Sequence, residues 1–444
     1  MKYFDNVGQT TATTGQGDVT LGAVLGTNFF TFAEQGAQDG DPVYIRIDEA
    51  GDVEIARATL NITAGTLSRD AVLRSRIGGV AGTAKMNLGG AAQVRCIAPS
   101  EALSLLAAGR NRVVNPCMQH SQENGNSAGT QDGYHAADQW EAVHSHDGAV
   151  SFERVASVTP AGAHYRLRLS VTSADTSIAA DQYQLIRQKL EASRMRDFLF
   201  GSADARPGVI RLGLKAPAGT YGIAIVNAAV SRSFVAEVTI EAGEANTDVV
   251  KTVAFAGDIT GTWETGDVLG WILSICIAAG NTYLGSAGWQ SGYYLAGVGQ
   301  TNGLASNSNV FEIFDVGLRL DPDGAGAYGQ FEVSDDYPEL LLCQRYWRRA
   351  GKGAIGAATS SSAASFGGPI GHPRMRTTPT ASFIAGQGSD LAINTGGTAF
   401  TFTGSDSVGA NDGRFFARRS GTSGLTAGQW LLGNTDFVAL NARM

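Results

Sequence analysis

The chain is short of lysine, proline, cysteine and long apolar runs, and each shortage excludes something. Lysine occurs only at Lys2, Lys85, Lys189, Lys215, Lys251 and Lys352, and basic residues (33) are outnumbered by acidic ones (41), for a formal net charge of -8. A protein that grips nucleic acid needs a basic surface for the phosphates, so a general nucleic-acid binder is excluded. The most apolar stretch, 268–280, falls well short of the roughly 20 residues that cross a bilayer, so no membrane insertion is expected. The first residues, Met1 to Asn6, contain no apolar h-region. Synthesis in a cytoplasm without a signal peptide is therefore expected, with any release by another route. The four cysteines, Cys96, Cys117, Cys276 and Cys343, lie far apart and form no C-x-x-C pair. A chain of 444 residues needs no disulfide framework, so they read as buried thiols.

With 43% apolar and 17% charged residues, the chain is too apolar to be disordered. Glycine is abundant: 58 residues, about twice the usual share of roughly 7%, which implies many tight turns. A soft prior of roughly 150 residues per domain gives about three domains.

Residues 1–99 read as a small β domain. Segments 42–48 and 53–59 alternate apolar and polar side chains around Gly51-Asp52, which predicts a hairpin, and 91–97 closes the block. Residues 100–112 predict a connector helix, with Ser100 as its cap after Pro99 and Gly109 as its stop. Its Leu103, Leu105 and Leu106 need covering, which sister helices would do in a homotrimer. Residues 113–333 hold strand-like runs at 150–155, 164–171, 208–214, 222–227, 233–240, 249–255, 270–277 and 310–320, the recurrence expected of an antiparallel sandwich or jelly roll. Within that block 182–196 is the main helical candidate. Residues 334–350 predict a linking helix, acidic at its start and arginine-rich at its end, with Pro338 in the first turn. Residues 351–444 return to β character at 381–384, 399–403 and 414–417, after a Gly/Ala/Ser-rich loop at 351–368. The fold class is therefore mainly β: N-terminal β domain, connector helix, central antiparallel jelly-roll sandwich, C-terminal β sandwich.

Motifs that carry chemistry are sparse. Gly324, Gly326 and Gly329 match G-x-G-x-x-G, but an extended run follows where a dinucleotide site needs a helix, so they read as a turn. Asp321, Asp323, Gly326 and Glu332 match a calcium loop in part, with Ala325 where a ligand should stand. His135, Asp138, His144, His146 and Asp147 form a His/Asp cluster in which an extended chain puts His144 and His146 on one face, without a third ligand of fixed position. Polar strand faces near a sugar or solvent explain that cluster as well. No G-x-S-x-G, H-E-x-x-H or phosphate loop is present. No catalytic residue, metal or cofactor is expected. Aromatic side chains supply the binding hypothesis, because sugars present apolar C–H faces to aromatic rings and hydroxyls to Asp, Asn and Gln. Trp289, Tyr293 and Tyr294 sit in a Gly/Ser/Asn-rich stretch and are the candidate ligand-binding residues; core or interface packing competes with that role for each. Trp140, Trp263 and Trp271 read as core, and Tyr346 and Trp347 as packing between domains or subunits.

Several segments together resemble a family. Asn111-Arg-Val-Val-Asn-Pro-Cys-Met-Gln-His-Ser-Gln122 with Ala137-Asp-Gln-Trp140 is similar to the start of the central domain of phage tail fibre and receptor-binding proteins. Tyr221-Gly-Ile-Ala-Ile-Val-Asn227, Gly257-Asp-Ile-Thr-Gly-Thr-Trp263 and the run 309–320 resemble later parts of that domain, and Glu339-Leu-Leu-Leu-Cys-Gln-Arg-Tyr-Trp347 resembles the helix after it. Gly17-Asp-Val-Thr-Leu21 and Leu67-Ser-Arg69 resemble the small N-terminal domain of phage fibres. The resemblance implies a virion-associated homo-oligomer, usually a homotrimer, with a carbohydrate-binding-like jelly roll. Its N-terminal domain would be anchored to a tail or capsid protein of a phage or of a phage-derived gene transfer particle. The expected function is non-catalytic attachment to a bacterial surface polysaccharide. A polysaccharide depolymerase and a purely structural fibre or collar component are the alternatives.

Overall fold

The first hairpin turns one residue earlier than its Gly-Asp pair suggests. Ala50 and Gly51 both hold positive φ (51° and 90°) and join Pro42–Glu49 to Asp52–Asn61, with Glu49 opposite Asp52. Two positive φ values in a two-residue loop match the right-handed twist of the flanking strands. An alanine there is strained by about 1 kcal/mol, which asparagine tolerates better. Ala50→Asn is expected to stabilise this part of the chain by roughly 0.5–1 kcal/mol, measured as a rise in its unfolding midpoint; an unchanged midpoint would show the turn to be unstrained.

These observations come from a computed structural model that describes residues 4–97 and 109–444, apart from 323, 325, 353, 371–372, 385–389, 395–398, 403, 412 and 434–435. The connector helix expected at 100–112 falls mostly outside the described residues. The chain divides into two units, Met1–Gly109 and Arg110–Met444. In the first, the hairpin belongs to an eight-stranded antiparallel sheet whose alternation buries Val43, Ile45, Ile47, Ala56, Ala58 and Leu60. Glu54 and Arg69 pair within it at 3.0 Å, both fully buried. Arg69 also donates to the carbonyls of Gly15, Gly17 and Met86, so one guanidinium ties its own segment to two others.

The second unit opens with a two-sheet sandwich. One sheet has seven strands in the order Tyr134–Ala137, Trp140–Ser145, Tyr183–Glu191, Leu269–Ala279, Gly219–Asn227, Arg232–Ile240, Gly288–Ser291. The other has five: Ala149–Ala156, Tyr165–Ser173, Val310–Leu320, Gly208–Lys215, Val249–Phe255. All the pairings within these two sheets are antiparallel, and strands distant in sequence lie side by side, as in a jelly roll. The expected strands at 249–255 and 310–320 form with those bounds.

The helix expected at 182–196 is a strand instead, Tyr183–Glu191, followed by two 3-10 turns. Gln, Arg, Lys, Leu and Glu favour a helix locally, but this segment has a ladder partner on each side, Trp140–Ser145 and Leu269–Ala279. Two ladders outweigh propensity. The polar inner-face residues are satisfied by backbone: Gln188 exchanges two hydrogen bonds with Val114, and Gln184 donates to the carbonyls of Val143 and Leu185.

The linking helix is shorter than expected, Asp336–Gln344, and its arginine-rich end becomes the strand Trp347–Ala350. That strand pairs with Val438–Asn441, which also pairs with Thr380–Phe383. The loop expected at 351–368 holds two paired strands, Ile355–Ser360 and Ala363–Pro369, in a second seven-stranded sheet. Small residues expected in a loop are core here: Ala354, Ala358 and Ala364 join Phe366, Phe402, Phe415, Val438 and Leu440 in one cluster, so the C-terminal part is a β sandwich. Among the described residues no helix is long and apolar enough to cross a membrane.

Candidate functional site

Strand pairing in the first seven-stranded sheet sends alternate side chains to its outer face, away from the sandwich core. Along Tyr183–Glu191 these are Tyr183, Leu185, Arg187 and Lys189, a stripe of roughly 20 Å at about 3.3 Å per residue. At one end is a tyrosine ridge. Tyr283 stands edge-on to Tyr183 (5.1 Å between ring centroids, 87°) and to Tyr293 (5.7 Å, 80°). All three rings are half-buried and rest on a buried floor of Leu185, Cys276, Leu295 and Ala296. Burial raises the hydroxyl pKa of Tyr183 and Tyr293, so both stay neutral donors.

The middle of the stripe is charged. Arg187 lies opposite Glu141 in the ladder and its Nε donates to Glu141 Oε1 at 2.7 Å, while Lys189 Nζ lies 3.5 Å from the same oxygen. Lys189 Nζ also donates to the main-chain carbonyl of Met444 at 2.8 Å. His135 Nε2 sits 3.8 Å from Glu141 Oε2. Burial, reinforced by the charge of Arg443, holds the His135 imidazole well below its ordinary pKa, so it is neutral at pH 7. Beyond Lys189 the stripe runs into a polar cavity of about 290 Å³ bordered by C-terminal residues, among them Asn441 and Arg443.

The three aromatic residues singled out in the sequence do not form one platform. Tyr293 is part of the ridge. Tyr294 donates its amide to Ser233 Oγ, and its ring lies so close over Gly285 and Gly292 that a Cβ at either would meet it at 2.8 and 2.7 Å. Trp289 turns the other way. It lies opposite Phe234 in the ladder and joins Phe200, Phe255 and Trp263, with its Nε1 donating to Ala256 O at 2.7 Å. Trp140 and Trp271 are core, whereas Trp263 is half-buried and donates to Asp258 Oδ2 and Thr260 O. Tyr346 and Trp347 are buried, and Tyr346 ties the end of the linking helix to the central sandwich through Glu191.

Sequence reasoning missed Tyr183, Tyr283, Arg187 and Glu141. Tyr183 and Arg187 were hidden by the helical reading of their segment; the every-second-residue spacing of 183, 185, 187 and 189 was the signal available. Tyr283 lies ten residues before Tyr293 in the same Gly/Ser-rich stretch.

The His/Asp cluster is dispersed among separate partners. The His144 and His146 rings lie 5.0 Å apart, but His146 Nε2 contacts Gln184 Oε1 at 3.0 Å and His144 Nε2 contacts Thr130 O at 3.3 Å. Asp138 accepts from Gln122 N and Nε2. Among the described residues no three His, Cys, Asp or Glu side chains lie close enough to share a metal. Asp321 Oδ2 accepts from Gly326 N at 2.7 Å and Glu332 is exposed; Asp323 and Ala325 lie outside the described residues. Gly324, Gly326 and Gly329 hold positive φ in a turn with no helix directly after it. The cysteines are unpaired; Cys117, Cys276 and Cys343 are buried and Cys96 half-buried, and burial raises Cys117 to about 11, which keeps that thiol protonated.

No family model matches this chain, and no curated protein matches it. Among solved structures it is similar to the enzymatically active domain of tailspike protein 4 of bacteriophage CBA120, with 10% identity over 48% of this chain and 21% of that one and a TM-score of 0.27. It is also similar to a family 11 carbohydrate-binding module of Clostridium thermocellum, solved with a β-1,3-1,4-mixed-linked tetrasaccharide (15% identity, 44% and 94% of the two chains, TM-score 0.22). A third is an exo-β-agarase (8% identity, 67% and 38%, TM-score 0.25). The match spans about a fifth of the tailspike chain.

Proposed function

We propose that this protein is a non-catalytic adhesin of a phage or phage-like particle, and that it holds a bacterial surface glycan on the outer face of the first seven-stranded sheet. The observation that carries this reading is the tyrosine ridge running directly into the Arg187–Glu141–Lys189 group on one sheet face. Aromatic faces accept the C–H surfaces of a sugar ring, and fixed ionic groups beside them accept and donate to its hydroxyls. The carboxylates of this face are engaged in holding structure. Glu141 is paired with Arg187 and Lys189, and Glu237 Oε1 accepts from Gly299 N. That commitment suits retention of a glycan better than proton transfer. A single such site is weak, so attachment relies on several sites joined in one homo-oligomer, for which a trimer is proposed. The Met1–Gly109 unit would anchor that oligomer to a tail or capsid protein.

Binding of the purified protein to host cells and to their isolated polysaccharide tests this. Tyr183→Ala and Tyr293→Ala are expected to weaken binding about tenfold each, the loss of one aromatic contact, with unchanged circular dichroism. Failure to bind any plausible host surface would remove the adhesin reading. Loss of polysaccharide viscosity on incubation would replace it with depolymerisation. Adhesion unaffected by either tyrosine would move the protein to a structural role or the glycan to another face.

A further inference from the structure

The C-terminal sandwich leaves large apolar side chains uncovered on the outer face of its seven-stranded sheet. Ile355, Phe416, Trp430 and Leu432 are 51–62% exposed. The ladder sets them together. Leu432 lies directly opposite Ile355, and Trp430 is two residues from Leu432 on the strand Trp430–Gly433, so it shares that face. Gly367 lies opposite both Ile355 and Phe416, so one level of the sheet runs Leu432, Ile355, Gly367, Phe416. Four strands at about 4.8 Å make this row roughly 15 Å wide. The Phe416 ring leans the other way, over Gly409, where a Cβ would meet it at 2.3 Å. Gly367 is therefore the floor of a trough between two apolar ridges. The inner face of the same strands is already core, with Ala358, Phe366, Phe415 and Leu431. An antiparallel sheet with one wet face alternates apolar and polar residues. Phe415-Phe416 and Trp430-Leu431-Leu432 break that alternation, which is the pattern of strands covered on both faces.

We infer that this face is a subunit contact, covered by the same face of a second copy of this chain. The inference rests on the homo-oligomer of the functional reading and not on its glycan. Area argues for it. Taking roughly 200 Å² for a free ring and somewhat less for a branched aliphatic chain, the four side chains leave about 400 Å² of apolar surface in water. That is half of the roughly 800 Å² each partner gives to a stable interface. Shape argues for a copy of the same chain. A ridge beside a trough on one face is self-complementary: the Ile355–Leu432 ridge of one copy enters the Gly367 trough of the next, and three such contacts close a ring. The next level of the sheet holds Trp430, Ala357, Ser365 and Arg418. Ala357 and Ser365 are small enough for two sheets to approach to about 10 Å. Charge is confined to one side, at Arg414 and Arg418 on the Phe416 strand, so the centre of the contact is neutral, as interface cores are. These two levels carry no carboxylate or amide to accept sugar hydroxyls, and half of the exposed apolar side chains are aliphatic, so a glycan suits this face poorly.

Sedimentation velocity of the full chain over a concentration series tests this without any host cell. The wild type is expected to sediment as an oligomer. Ile355→Lys combined with Leu432→Lys sets unpaired charges at the centre of the contact and is expected to weaken association about a hundredfold or more. Both positions are exposed in the single chain, so its circular dichroism is expected to stay unchanged. If the lysines misfold, Ile355→Cys carries the test. A bis-maleimide of about 15 Å, one sheet spacing plus the offset from ridge to trough, is expected to join Ile355→Cys chains to one another. The unsubstituted chain, whose own cysteines are buried or half-buried, is expected to stay unlinked. A wild-type chain that stays single overturns the assignment. So does an oligomer that the lysines leave intact and Ile355→Cys fails to link, since another face then holds it. Single chains that bind phosphatidylglycerol vesicles, and lose that binding with Trp430→Ser, overturn it in favour of a lipid surface. Adhesion by a chain that stays single removes this assignment alone; an oligomer linked through position 355 that adheres to no host removes the adhesin reading alone.

Discussion

Trp271→Ala is expected to destabilise the Arg110–Met444 unit by about 3–5 kcal/mol, the range for truncating a large buried aromatic side chain. Trp271 is 1% exposed and belongs to an aromatic cluster in the sandwich core. Phe200 stacks on it at 4.5 Å and 21°, Phe198 lies at 4.8 Å, and Trp263 meets it edge-on at 5.4 Å. The cluster as a whole draws on both sheets and on loops. Phe255 belongs to the five-stranded sheet, Phe234 and Trp289 to the seven-stranded one, and Phe198, Phe200 and Trp263 to connections. Removing the indole therefore loosens several segments at once, and a ring of rigid aromatics closes poorly over the void. Urea titration of the purified chain checks this, with Trp289→Ala as comparison. Trp289 is only half-buried, so its loss is expected to cost about half as much or less. Equal costs would mean that burial does not rank the members of the cluster.

The second large effect belongs to Glu191, which is 1% exposed. It accepts from Arg345 Nη2 at 2.6 Å and Nε at 3.0 Å, from Tyr346 Oη at 2.8 Å and from Ser193 Oγ at 2.9 Å. Burial alone would raise its pKa. The hydrogen bonds from Arg345, then Tyr346 and Ser193, outweigh burial and bring it from 4.5 down to about 2. A carboxyl depressed on folding contributes stability in full above its unfolded pKa and loses it as the pH falls toward its folded one. The wild-type unfolding midpoint is therefore expected to drop between pH 4.5 and 2. Glu191→Gln should flatten that drop and cost about 3 kcal/mol at neutral pH, the low end for breaking a buried pair, because Arg345 is partly exposed and keeps some hydration. Parallel pH curves for the two proteins would show that the pair contributes nothing through its charge.

The local pattern was enough to read the strands at 249–255 and 310–320 and the first hairpin, because their alternation or their turn residues are short-range properties. It was not enough at 183–191. There the inner face carries buried Gln184 and Gln188 while the outer face carries buried Leu185, so polarity does not follow exposure, and long unbranched side chains imitate a helix. It failed again at 355–369, where alanine and serine look like loop until Phe366 within the segment and Phe402 and Phe415 from other strands pack over them. In the candidate site, Tyr293 was legible as a loop aromatic. Its companions Tyr183 and Tyr283 were not, because which residues share its face depends on the ladder register. Trp289 is only four residues away and faces the opposite side for the same reason.

Sequence alone determined the mainly β class, the many turns, the acidic balance and the place of most strands, all of which follow from composition and from periodicity within a few residues. Tertiary structure decided which aromatics became ridge and which became core. It also brought Arg443 against Glu123, and to the rim of one cavity with Gln139 and Lys189. Such meetings depend on pairing between segments up to 320 residues apart, and no local periodicity encodes a contact whose energy exists only once both strands are in place.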